Sequence, residues 1–150
     1  MKLALLLLFT CVVATKELEG LIENVAQSLN MSKDEVRGCF IEKNITLEDL
    51  MKFDMLRVDN LQATDAQDIN SKIGCLLACL GEKKEMMTGA RLNLNKMKEW
   101  VQERLQAIET KHNPEKLARF EQHIDSCANQ VETITNKCEV ALTFLRCVTE

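Results

Sequence analysis

Proline occurs once in 150 residues and glycine five times; tyrosine is absent, and there are one tryptophan and two histidines. So few turn residues do not supply the frequent tight turns of a strand-rich fold. So few aromatic rings argue against a sugar site built on stacking. Two histidines, with no closely spaced cysteine pair besides Cys75 and Cys79, leave no ligand set for zinc. There is also no glycine-rich calcium loop, and no adjacent histidine and aspartate in a cysteine-rich helix such as a helical phospholipase needs. Neither catalytic residues nor a cofactor are therefore expected. No basic run is present and the chain is acidic, which argues against nucleic acid as a partner.

Apolar runs are short as well. Leu3 to Val13 covers eleven residues, where a membrane span needs about twenty, so stable membrane insertion is not expected. With Met1-Lys2 as a basic start and Val12-Val13-Ala14 as small residues before a cut, residues 1–14 read as a signal peptide. The remaining domain, residues 15–150, is then a secreted chain. Losing Lys2 takes its formal charge from −4 to −5.

What the chain has in abundance is Leu, Ala, Glu, Lys and Met, the residues of helices. Seven cysteines less Cys11 leave six: Cys39, Cys75, Cys79, Cys127, Cys138 and Cys147. An even set in a secreted chain implies three disulfides. Cys75 and Cys79 lie a turn apart on one side of an apolar helix with roughly parallel Cβ vectors, so each should reach a different segment. Cys138 and Cys147 are nine residues apart and face opposite ways on a continuous helix. Of the 15 pairings that six cysteines allow, these two exclusions leave ten open.

Helical stripes can be followed along the chain. Leu18, Leu21, Ile22, Val25 and Leu29 form one over 16–29. Ser32 with Glu35 is a capping box ahead of Val36, Cys39 and Phe40, and Thr46 looks like a further start ahead of Leu50, Met51, Phe53, Met55 and Leu56. The central helix carries Ile69, Ile73, Leu76, Leu77 and Leu80, and Gly81 is expected to end it as a left-handed cap. Residues 82–90 read as a connector. Leu92 or Leu94 should begin a helix through Met97, Trp100, Val101, Leu105 and Ile108. Asn113-Pro114 opens the next, with Leu117, Phe120, Ile124 and Cys127, and the last runs over 131–148.

The intervals between the six cysteines are 35, 3, 47, 10 and 8 residues. With Cys138-Glu139-Val140-Ala141 in the last helix, this spacing resembles the six-cysteine insect odorant-binding proteins, of the pheromone-binding and general odorant-binding type. The resemblance covers essentially all of 15–150. It implies an all-α, compact bundle of about six helices stapled by three disulfides around an internal apolar cavity. It also implies the pairing Cys39 with Cys79, Cys75 with Cys138, and Cys127 with Cys147. The function implied is a secreted carrier that takes up a small hydrophobic ligand, such as an odorant or pheromone, and moves it through aqueous lymph. A membrane odorant receptor is the implied downstream partner, with the carrier a monomer or homodimer.

Candidate ligand-binding residues are Leu29, Leu77, Leu80, Met86, Met87, Leu92, Met97, Val101, Phe120, Ile124, Phe144 and Val148. Six of these, Leu77, Met86, Met87, Ile124, Phe144 and Val148, also match family cavity positions by their distance from the nearest cysteine. Such a wall of aliphatic and thioether groups suits a flexible chain or terpenoid. His112 and His123 are the groups expected to titrate near neutral pH. The three residues after Cys147 are expected to cover the cavity. Asn30-Met31-Ser32 and Asn44-Ile45-Thr46 both fit the N-glycosylation pattern, although Ser32 and Thr46 also serve as caps. The rival functions are a secreted helical signalling factor with a filled core and a non-olfactory scavenger of lipophiles.

Overall fold

In the computed structural model residues 2–59, 64–108 and 114–149 are described. They form α1 (Lys2–Leu29), α2 (Lys33–Glu42), α3 (Leu47–Asp59), α4 (Thr64–Lys83), β1 (Met87–Thr88), β2 (Arg91–Leu92), α5 (Leu94–Ile108), α6 (Pro114–Val131) and α7 (Lys137–Thr149). The chain divides into two compact units, Met1–Leu76 and Leu77–Glu150, with the boundary inside α4.

In the first unit, two helix junctions repeat one device. Asn30 takes a left-handed φ of 52°, its N–H donates to Gln27 O (3.3 Å), and Met31 N–H donates to Ala26 O (2.9 Å). That pair of bonds closes a Schellman end on α1. Ser32 then caps α2: its hydroxyl accepts from Glu35 N–H while the Glu35 carboxylate accepts from Ser32 N–H. At the end of α2, Asn44 also has φ 52°; it donates to Ile41 O, and Ile45 donates to Phe40 O. Thr46 and Asp49 form the same reciprocal pair at the start of α3. Each Asn-X-Ser/Thr triplet is thus the stop of one helix and the start of the next, whatever its fate as a sugar acceptor.

Helix α1 packs on α2 and α3. Its expected stripe has Ile22 buried at the centre, with Leu18, Leu21, Val25 and Leu29 half-buried around it. Val36, Cys39, Phe40 and Ile45 are buried too, as are Ile69, Ile73 and Leu76 of α4. Across the α1–α2 contact, Arg37 clasps both oxygens of Glu19 (3.1 and 2.7 Å) and reaches Asp34 at 2.7 Å. On α3 the three-residue period of Leu50, Phe53 and Leu56 faces inward, half-buried, and leaves Met51 and Met55 exposed.

The second unit corrects several expected boundaries. Gly81 does not end the central helix, which continues to Lys83. The left-handed stop is Glu85 (φ 58°), with Glu85 N–H on Glu82 O and Met86 N–H on Gly81 O. Residues 87–92 form an antiparallel hairpin in which Met87 pairs with Leu92 and Thr88 with Arg91. Gly89, at φ 58°, supplies the positive φ that the two-residue turn requires. Asn93 N–H closes the base on Met86 O (2.7 Å), and its side chain caps α5 through Lys96 N–H. The last helix starts at Lys137, because the Asn136 side chain accepts from both Cys138 and Glu139 N–H. Val131 closes α6, and Ile134 lies in the turn between the two helices. The cap expected at Asn113 lies outside the described residues.

Candidate functional site

Met87 is the point on which the second unit closes. A Cβ on Gly81 would stand 3.1 Å from both Cγ and Sδ of Met87, so the bare backbone of α4 gives the hairpin room to bring this side chain inside. There Met87, 4% exposed, packs with Ala78, Val131, Val140 and Ala141. Leu77, Ala90, Leu92, Met97, Ile134 and Phe144, half-buried, pack against that group. Five of the twelve candidate wall residues therefore meet in one apolar cluster: Leu77, Met87, Leu92, Met97 and Phe144.

The remaining candidates are distributed differently. Leu80, Val101 and Ile124 are buried, and Phe120 and Val148 are half-buried on α6 and α7. Met86, half-buried, is not part of that cluster and instead lines a surface pocket. Leu29 belongs to the first unit. The three residues expected as a cover are in part the last turn of α7, which takes in Val148 and Thr149; the Thr149 hydroxyl donates to Leu145 O at 2.9 Å.

Polar clamps hold the helices around the cluster. Lys98 meets Asp125 at 2.7 Å and Gln102 donates to Glu121 at 2.7 Å, tying α5 to α6; Lys137 reaches Glu82 at 2.9 Å, tying α7 to α4. Cys127 and Cys147 are bonded, with Cα atoms 5.7 Å apart, and fasten α6 to α7. Beside this bridge the exposed His123 places Nε2 3.1 Å from the Cys147 carbonyl and 3.8 Å from Cys127 Sγ. Since a carbonyl only accepts, the imidazole carries its proton on Nε2 in that contact. His112 lies outside the described residues. Cys39, Cys75, Cys79 and Cys138 are also disulfide-bonded.

Among the described residues, surface pockets open on the second unit. One of about 450 Å³ lies between the hairpin and the end of α6, with Leu92 and Val131 of the apolar cluster in its wall and Arg91, Asn129 and Glu132 alongside. A second, about 570 Å³, shares Arg91, Leu92 and Leu94 with it. A third, about 240 Å³, is formed by the end of α4 and by α5, with Met86 and Trp100. The Trp100 indole Nε1 is buried and has no hydrogen-bond partner among the described residues. Leaving such a donor unpaired costs about 1–3 kcal/mol. Trp100 reads in the sequence as one more member of an apolar stripe; its ring nitrogen was the available signal, because an indole N–H normally finds a partner when buried.

Among the described residues no group of His, Cys, Asp and Glu is placed to hold a metal ion, and no helix is long and apolar enough to cross a membrane. The chemistry on offer is apolar contact, with few polar groups turned inward.

No solved structure matches the chain. Among curated proteins it is similar to Pheromone-binding protein Gp-9 of Solenopsis globularia littoralis, 23% identical over 123 residues, which cover 82% of this chain and 74% of that protein. The protein of the same name from Solenopsis nigella gensterblumi is 22% identical over 143 residues, covering 95% and 89%. That from Solenopsis geminata is 20% identical over 123 residues, covering 82% and 76%. The pattern of the PBP/GOBP family matches residues 22–150, a span that takes in all six bonded cysteines and the whole apolar cluster, and the chain belongs to that family.

Proposed function

We propose that this protein is a secreted carrier that takes a small, lipophilic molecule into an apolar interior and moves it through an aqueous fluid. The observation that carries the reading is the family match over residues 22–150. The apolar cluster around Met87 supports it, because five of the expected wall residues meet there. The relatives named for pheromone binding make a pheromone or similar semiochemical the first ligand class to test.

The energetics suit such a role. Each Å² of apolar ligand surface removed from water contributes about 25 cal/mol, so an engulfing site reaches micromolar affinity with few polar contacts. Methionine side chains adapt to ligands of different shape. The proposed wall is Leu29, Leu77, Leu80, Met86, Met87, Leu92, Met97, Val101, Phe120, Ile124, Phe144 and Val148. The proposed partners of the remaining cysteines are Cys39 with Cys79 and Cys75 with Cys138, and residues 1–14 are the proposed signal peptide. Non-reducing peptide mapping of the secreted protein reads both the pairing and the mature amino terminus.

Displacement of N-phenyl-1-naphthylamine tests the function itself. A carrier takes up one equivalent of this fluorescent probe with micromolar affinity and releases it to an aliphatic pheromone-like competitor. A signalling factor with a filled core gives no saturable binding, and that result would end the carrier reading.

A further inference from the structure

We infer that the indole of Trp100 is the hydrogen-bond donor of a ligand site, and that the molecule carried is neutral, apolar along its length, and ends in an oxygen acceptor such as a ketone, aldehyde or ester. This deepens the carrier reading and rests on it. Trp100 is the sole tryptophan of the chain and sits on α5 beside Val101, which is buried, and one turn from Met97 in the apolar cluster. Its Nε1 is the one buried side-chain nitrogen or oxygen among the described residues that lacks a partner. Buried polar atoms in folded proteins are otherwise nearly all paired, so the exception calls for an explanation.

The chemistry of the missing partner follows from the donor. An indole nitrogen donates and never accepts, so no second donor, and no change of tautomer, can satisfy it. Only a group with a lone pair fits. The charge of that group follows from the pocket it shares with Met86, around which Lys83, Lys84 and Lys96 stand against Glu85, Glu99 and Glu103. Lys96 and Glu99 already pair at 3.4 Å. The signs balance, so a carboxylate or an ammonium gains nothing over a neutral oxygen. At about 240 Å³ the pocket is smaller than the roughly 300–1,000 Å³ of sites that enclose a whole ligand, and fits one end of a longer molecule. Met86, an unbranched thioether, is the side chain best able to move aside as that end enters.

The test uses the single indole N–H cross-peak of the ¹⁵N-labelled, disulfide-intact protein. Two probes are titrated, undecan-2-one and 2-methylundec-1-ene, which differ in having an oxygen or a CH₂ at the same place. The ketone is expected to bind roughly 2- to 10-fold more tightly and alone to move the indole proton downfield; Trp100→Phe is expected to make the two affinities equal. If both probes bind equally with the cross-peak unmoved, or if the preference survives in Trp100→Phe, this inference is wrong and the carrier reading stands. If neither binds, both fail. The wild-type cross-peak decides even if the variant does not fold.

Discussion

Asp49 is held by opposing forces that a change of pH separates. Burial pushes its carboxyl up, but hydrogen bonds from the Thr46 backbone and hydroxyl, with Lys72 at 3.2 Å, outweigh that and hold it below its ordinary value. A depressed carboxyl stabilises the fold above its unfolded value of about 3.9, and that contribution is lost as pH falls through the lower folded value. Asp49→Asn should therefore cost about 1 kcal/mol at neutral pH, where the charged acceptor is lost. The gap from wild type should narrow steadily below about pH 4. Urea midpoints of the two proteins from pH 7 to pH 2 give the answer, and a gap independent of pH would mean that the carboxylate charge contributes nothing. Glu19 is lowered as well, first by the Arg37 hydrogen bond, but its side chain is partly open to solvent, which screens the pair and leaves it a smaller effect.

Helix starts are more legible in this sequence than helix stops. A start needs a side-chain acceptor, so Ser32 and Thr46 announce themselves by residue type, and each is confirmed by its partner three residues on. A stop needs only one left-handed residue. Glycine's conformational freedom makes Gly81 the expected stop, yet Glu85 takes that conformation and Gly81 serves as a gap for Met87. Val131 and Ile134 read as apolar repeats of one helix, whereas Asn136 makes the break. In the sequence Asn30 and Asn44 stand out only as possible sugar acceptors. Both hold φ 52°, which asparagine tolerates and alanine does not. Asn44→Gly should leave stability within a few tenths of a kcal/mol, whereas Asn44→Ala should lose about 1–2 kcal/mol. Thermal melts of the unglycosylated proteins check this, and equal losses would mean that the conformation of Asn44 is not what ends α2.

For the molecule as a whole, the apolar spacing marked most of the interior, but which side chains converge depends on the hairpin, and two-residue strands carry no periodicity to read. Met86 and Met87 are adjacent in sequence and line different places for that reason. The unpaired, buried state of the Trp100 nitrogen likewise exists only in the folded chain. Covalent links bear on this scale too. The Cys127–Cys147 bridge closes a separation of 20 residues, and in the chain-entropy account such a loop raises the free energy of the unfolded state by about 3 kcal/mol. The same bridge places the Cys147 carbonyl beside His123 and fastens α7, whose Val140, Ala141 and Phe144 form part of the apolar cluster. Paired Cys127→Ser and Cys147→Ser changes should therefore lower the urea-unfolding free energy by about 2–4 kcal/mol. If the bridge acts mainly on the unfolded chain, the folded fraction of that variant should bind the naphthylamine probe with unchanged affinity. Should stability fall as expected while affinity collapses by tenfold or more, the bridge would instead be shaping the binding site, and α7 would be the element whose position it sets.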